Sequence, residues 1–436
     1  MMKKNTWNLS VIKELKHFLI LWGTQTLSGL GTGMTGFALI LWSYQQQGSA
    51  LTTALLSVCS YAPYVIMSIF AGAVSDRWRK KTVMLSCDGL AALGTLAVVW
   101  LLHTGQLRIW HLYLINGLNG LMNTFQRPAS EVASTLLTPE KHYQRIGSLH
   151  AFSSSLQSIL TPVLASAVFA FGGLMGVLFI DLATFLAAFF TLAFLIPLKE
   201  KDQEKKRQEA FSHAVRSGLA FLRKQRGILD IILFLAAINF TASMFNAALP
   251  ALVIPKAGET ALGLVQGTAG IAMLAGSLIA TLLPAPKSRV KVICNALLLS
   301  MSTENFFLAL GGSVPVWCIG AVLGWIAIPL MNTNLDALLR SSIPMELQGR
   351  VYACRNSLQF FTIPLGYLAG GALVDRVFEP WMAAQKEGVL TVLFGSGKGS
   401  GAAALYLLLG FLGVITCVIF RRDRHIRSLE NPSFPD

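Results

Sequence analysis

The chain has 436 residues, 54% hydrophobic and only 13% charged, about half the ~25% charge of a typical soluble domain. Most of its surface must therefore face lipid, which excludes a soluble enzyme, a disordered scaffold and a secreted disulfide protein. The net charge of +14 invites a nucleic-acid reading, which the placement of the basic residues removes below.

Lys3, Lys4, Lys13 and Lys16 precede an apolar run too long for a signal-peptide core and without a small-residue cleavage site, so it reads as an uncleaved first span. Apolar windows fall at residues 18–43, 51–74, 83–102, 109–130, 148–171 and 174–197, and again at 229–253, 261–284, 292–311, 315–337, 351–374 and 402–420. Each is long enough for a helix, which satisfies its own backbone in lipid. The expected fold is an all-α membrane protein of twelve transmembrane helices. They form two pseudo-symmetric six-helix bundles, residues 1–197 and 229–436, joined by a charged cytoplasmic linker over 198–228.

Along the chain, span 1 carries Gly29, Gly31, Gly33 and Gly36, which permit close helix approach, and Gln25. Span 2 runs into Gly72-Ala73-Val74-Ser75-Asp76-Arg77-Trp78-Arg79-Lys80-Lys81. An acid at a helix end followed by cations in a short loop has the chemistry of a gate; a plain basic loop is the alternative. Span 4 places Asn116, Asn119, Asn123 and then Gln126 or Arg127 three or four residues apart, on one helical face. Span 7 repeats the theme with Asn239, Ser243 and Asn246, and Asn332 lies in span 10. Such amides are costly toward lipid, so they line a cavity or bond neighbouring helices. A neutral, amide-rich cavity suits an uncharged or amphiphilic small molecule.

With the N-terminus in the cytoplasm, 28 of the 35 Lys and Arg fall on the cytoplasmic side, five on the other and two within spans. This positive-inside bias accounts for the basic balance without nucleic acid and places both termini in the cytoplasm. The six cysteines all sit in apolar stretches without metal or disulfide spacing. Gly395-Ser396-Gly397-Lys398-Gly399 lacks the first glycine and the final Ser or Thr of a phosphate loop. With no cofactor, metal or nucleotide site expected, any energy for transport comes from a gradient.

The halves also resemble each other. Leu121-Met122-Asn123-Thr124 recurs as Leu330-Met331-Asn332-Thr333, Pro139/Arg145 as Pro344/Arg350, and Ser155-Leu156-Gln157 before Pro162 as Ser357-Leu358-Gln359 before Pro364. Internal repeats of this kind characterise secondary transporters. At the offset of the first of these repeats, Arg127 matches Asp336, a pair expected to close the cytoplasmic side across the bundles; a local Arg127–Glu131 pair is the rival.

The loop after span 2 resembles the signature of the major facilitator superfamily, G-x-x-x-D-R-x-G-R-[RK], with Arg79 in place of the second glycine. Gly371-Ala372-Leu373-Val374-Asp375-Arg376 matches its first six positions almost as well, but on the opposite side and without the basic run. Pro344 to Val351, Val377-Phe378-Glu379-Pro380 and the stretch 214–229 look like the macrolide-efflux-type exporters, the third drug:proton antiporter family, with which siderophore exporters share this pattern. The resemblance implies a monomeric exporter of an amphiphilic compound in the bacterial inner membrane, working by alternating access and proton antiport, with spans 1, 4, 7 and 10 around the cavity. The acids that can carry the proton are Glu131, the first choice, then Asp88, Asp181, Glu304 and Asp336. An uptake symporter or lysolipid flippase of the same fold is the alternative. A membrane-embedded enzyme would need a catalytic cluster that the sequence lacks, and a sensor would bind without transport.

Overall fold

The computed structural model describes residues 9–198, 219–345 and 347–429; the side chains of residues 9, 10, 68–77, 349 and 353 are not described. Lys3, Lys4, most of the polar linker and Glu346 lie outside the described residues.

Among the described residues the chain is helical and forms no strand. The short α1 (Leu9–Glu14) is followed by α2 (Lys16–Gln47), α3 (Ala50–Arg77), α4 (Lys80–His103), α5 (Ile109–Leu136) and α6 (Tyr143–Phe190). After the polar region come α7 (Arg226–Leu282), α8 (Arg289–Leu310), α9 (Val314–Trp325), α10 (Ile328–Ser342), α11 (Gln348–Phe360) and α12 (Thr362–Leu373). The short α13 (Glu379–Ala383) and α14 (Val389–Phe394) precede α15 (Ser400–Arg422) and α16 (Arg424–Ser428). Every apolar window of the sequence lies on helix to within two residues at its ends, apart from short internal turns. Eight of the described helical segments are long and apolar enough to cross a membrane.

Two helices are too long for one crossing. At 1.5 Å per residue, α6 and α7 would run about 70–85 Å against a hydrocarbon core of about 30 Å. Each is broken by a glycine outside helical geometry, Gly173 (φ 57°, ψ −163°) and Gly258 (φ 81°, ψ 176°). Both positive φ values belong to the left-handed region, where a side chain would be strained. Two other interruptions trace to proline, whose ring clashes with the carbonyl four residues earlier. Pro329 targets Trp325, the last residue of α9, and Pro364 targets Phe360, the last residue of α11.

The chain divides into two compact units: residues 1–39 with 62–206, and residues 40–61 with 207–436. In the first, Leu21, Val83, Met84, Cys87, Ala129, Ala133, Leu192 and Ile196 form a buried cluster that ties α2, α4 and α5 to the end of the sixth span. In the second, Ile231, Phe234, Leu235, Ile293, Leu297, Leu335, Leu339 and Cys417 tie α7, α8, α10 and α15. Large apolar side chains also cover the outside, among them Phe171 at 95% exposure and Leu282 at 85%, as a lipid solvent requires.

On the polar edge of the first unit, the exposed Glu14 bonds Lys141 at 2.7 Å and His142 at 3.1 Å. The Lys141 and His142 hydrogen bonds hold its carboxyl below the ordinary range. A depressed acid stabilises above its unfolded pKa, and that contribution disappears as pH falls through the folded value. Glu14→Gln should therefore lower the thermal midpoint slightly at pH 7, and the difference from wild type should vanish at strongly acid pH.

Candidate functional site

The first unit holds the densest set of polar groups within spans. On α5, Asn116, Asn119, Asn123, Arg127 and Glu131 follow one another at three or four residues, and the last three are exposed. Asn116 returns its amide to the Leu112 carbonyl at 2.9 Å. The Asn119 Oδ1 is buried with no hydrogen-bond partner among the described residues, as is the Nε2 of His150 on α6. A buried polar atom without a partner costs free energy until something supplies one.

Asp88 of α4 sits beside this row. Its carboxylate accepts from Gln25 Nε2 of α2 at 3.3 Å and from Gln126 Nε2 of α5. Both donors are neutral amides, and no cation pairs with Asp88 among the described residues. Asp181 of α6 is held differently. Thr32 Oγ1 (3.1 Å), Thr35 Oγ1 (2.9 Å) and Thr95 Oγ1 (3.2 Å) all donate to it. Gly31 leaves the space that lets α2 lie against Asp181 and Thr184. Three hydroxyl donors from two other helices converge on the carboxyl group, which makes Asp181 a tie between the first, third and sixth spans. Glu304 of α8 accepts from Trp325 Nε1 at 2.8 Å and fills the gap left by Gly324. Glu131 is exposed and one turn from Arg127, with no ion pair between them among the described contacts.

In the loop after α3, the side chains of Gly72, Asp76 and Arg77 lie outside the described residues. Lys80 is buried and donates to the Trp78 carbonyl at 3.1 Å. Lys81 Nζ donates to the Ala193 and Ile196 carbonyls, both at 2.9 Å. Those carbonyls belong to the end of the sixth span, where a helix has unpaired acceptors and a partial negative charge. Lys81 is therefore a cap for a helix more than a hundred residues away. Lys81→Met should cost about 1–3 kcal/mol, the scale of a hydrogen-bonded cation and the acceptors it leaves unpaired; thermal unfolding in detergent reads it as a lower midpoint.

In the second unit the amides of α7 are used mainly for packing. Asn239 donates to the Gln359 carbonyl of α11 at 3.2 Å, Ser243 and Asn246 bond their own helix, and Ser243 packs against Gly366 of α12. Asn332 and Asp336 are exposed on α10. Asp336 pairs with Arg355 Nη1 at 3.8 Å, and Arg355 in turn donates to Gln359 Oε1 at 3.1 Å. Arg355 is one of the two cations that the sequence places within spans, and nothing in its spacing assigned it a role. Sequence reasoning also missed the Thr32, Thr35 and Thr95 set, since a threonine in an apolar helix carries no periodic signal. Among the described residues, the one grouping with metal-ligand geometry is Asp230, Asp423 and His425. It is already occupied by its own bonds: Asp230 accepts from or pairs with His425, and Asp423 caps α16.

Comparison with known proteins agrees with this architecture. The chain is 23% identical over 386 residues to macrolide efflux protein A of Streptococcus pyogenes, covering 86% of this chain and 92% of the relative. It is 23% identical over 430 residues to the enterobactin exporter EntS of Citrobacter koseri, covering 94% and 96%. Among solved structures, the nucleoside transporter NupG superposes with a TM-score of 0.67 at 12% identity, covering 93% of this chain and 98% of that one. A bacterial homologue of the iron transporter ferroportin gives 0.65 at 15%, covering 94% and 99%. Residues 21–366 match the sequence profile of the Major Facilitator Superfamily, and with most of the chain inside that match, the protein belongs to this family of membrane transporters and is not an enzyme.

Proposed function

We propose that the protein exports an amphiphilic organic compound, of the macrolide or siderophore type, across the bacterial inner membrane in exchange for protons. The observation that carries the reading is the exposed row Asn123, Arg127 and Glu131 on α5. Amides and charges on a membrane-crossing helix do not face hydrocarbon, so this face lines water and substrate. The relatives supply the substrate class, since macrolide and enterobactin exporters both match over most of their length.

The helix breaks support a reading of twelve spans. Gly173 and Gly258 divide two of the eight apolar segments, which makes ten. The remaining two would be α2 and α5, which are long enough to cross but less apolar, α2 through its glycines, serines and threonines and α5 through its Asn116 to Glu131 row. Two bundles, over residues 1–197 and 229–436, then alternate access, with both termini in the cytoplasm. Arg127 and Asp336 remain the pair proposed to close the cytoplasmic side, with Arg355 competing for Asp336.

For proton coupling, the contacts favour Asp88 over Glu131. Asp88 is buried, has only neutral partners, and bridges two helices of the proposed cavity. A carboxylate in such a place carries a high desolvation cost that proton uptake removes, and its amide partners can turn to accept from the neutral acid. The test is uptake of a fluorescent macrolide, and separately of a catechol-bearing siderophore, into everted vesicles. Accumulation when the lumen is acid supports antiport export; accumulation driven only by the opposite gradient overturns it in favour of a symporter.

A further inference from the structure

The second unit includes residues 40–61 from early in the chain, and they pack on α12 and its continuation along one helical row. Tyr367, Gly371 and Asp375 are spaced by four residues, so they share a face. Tyr367 stacks on Tyr61, ring centroids 6.0 Å apart at 21°. Gly371 lies against Leu51 and Ala54 so closely that a Cβ would meet the Leu51 backbone. Asp375 accepts from Ser49 Oγ at 2.6 Å, the Ala50 amide at 3.0 Å and the Leu51 amide at 2.9 Å. Alongside, Gln45 donates to Glu259 at 2.7 Å.

Asp375 thereby does for α3 what a local N-cap residue normally does. Ser49 meets the Thr52 amide at 3.0 Å, and the two amides before it turn to a carboxylate some 325 positions away in sequence. The arrangement is favourable twice over. A helix N-terminus carries unpaired donors, and its dipole favours an anion. A cavity of about 270 Å³ lies beside it, lined by Tyr44, Gly48, Ser49, Asp375, Glu379 and Lys398, so water can reach the freed amides when the seam parts. Glu379, one turn further on, is committed elsewhere: it caps α15 through the Gly399 and Ala402 amides at 3.0 and 3.2 Å. The outer end of this span thus carries two carboxylate caps, one for its sequence neighbour and one for a helix from the first half of the chain.

We propose that the Asp375 cap on α3 is the releasable latch of the extracellular gate, setting how readily the transporter opens outward. This rests on the topology of the export reading, which puts residues 44–51 and 375–398 on the outer side. The test uses the full-length protein with its native cysteines replaced by alanine and a reporter Ala54→Cys, buried under Gly371. An impermeant maleimide is applied from outside to intact cells. Asp375→Asn should raise the labelling rate about ten-fold, on the scale of losing a helix cap, and Ser49→Ala should raise it less. Asp375→Glu, which keeps the charge, should restore slow labelling. Equal labelling of wild type and Asp375→Asn overturns the latch. If Asp375→Asn does not fold, Ser49→Ala decides alone, and its failure to speed labelling is equally fatal. Labelling needs no substrate, so an absent proton-driven export in vesicles would discard the export reading while leaving this result to stand or fall by itself.

Discussion

Asp88→Asn should abolish gradient-driven accumulation while leaving substrate exchange intact. Asp88 is joined to Gln25 and Gln126 by amide donors alone. Asparagine fills the same space and still meets both glutamines, because each amide can turn to offer its oxygen. What it lacks is a proton to take up and release. In vesicles with equal pH on both sides, counterflow of labelled against unlabelled substrate should therefore continue near the wild-type rate. With an imposed proton gradient, accumulation should fall by about 100-fold or more, the scale of losing a positioned proton-transfer group. Asp181→Asn provides the contrast. Its three threonine donors suit an ionised carboxylate, so the substitution should lower the thermal midpoint and reduce both assays in parallel. Asp88→Asn vesicles that still accumulate substrate against the gradient would remove Asp88 from the coupling path and return Glu131 to first place.

Gly276→Val should have the largest effect on folding. Gly276 lies on the second limb of α7, and a Cβ built there would overlap the Ile326 carbonyl. Ile326 stands in the turn between α9 and α10 that Pro329 imposes. The obstacle is backbone held by a proline break, so no rotamer change relieves it. Overpacking of a core typically costs 1–3 kcal/mol; against rigid backbone the upper end, about 3 kcal/mol, is expected for valine and less for alanine. Size-exclusion yield and thermal midpoint in detergent would show it, and a Gly276→Val protein as stable as wild type would mean that α7 and the α9–α10 turn are looser than this packing requires.

Several features were legible without coordinates. Hydropathy located the helices because lipid exposure acts on every residue of a span independently of the rest of the fold. The three-to-four spacing from Asn116 to Arg127 identified a polar face because helical period is a local property. The position of an acid within a span named Asp88, Glu131, Asp181, Glu304 and Asp336 as proton-carrier candidates, yet it had no means of separating the buried three from the exposed Glu131 and Asp336. The roles of the buried three depend on partners such as Gln126, Thr35 and Trp325, contributed by other helices. Lys81 read as part of a basic gate motif, and the structure gives it the carbonyl end of the sixth span. Gly371 to Asp375 read as a weak echo of that motif, and the structure gives it α3.

That the chain is built for lipid, where its helices run and which of their faces are polar could be read from residue order alone, because hydrophobicity and helical period are properties of each short stretch. Which acid meets only amides, which gathers hydroxyls and which caps a distant helix emerged from how the helices pack. Those choices are made where glycines such as Gly31 and Gly371 let two backbones meet, and a meeting of segments hundreds of residues apart leaves no local pattern in the chain.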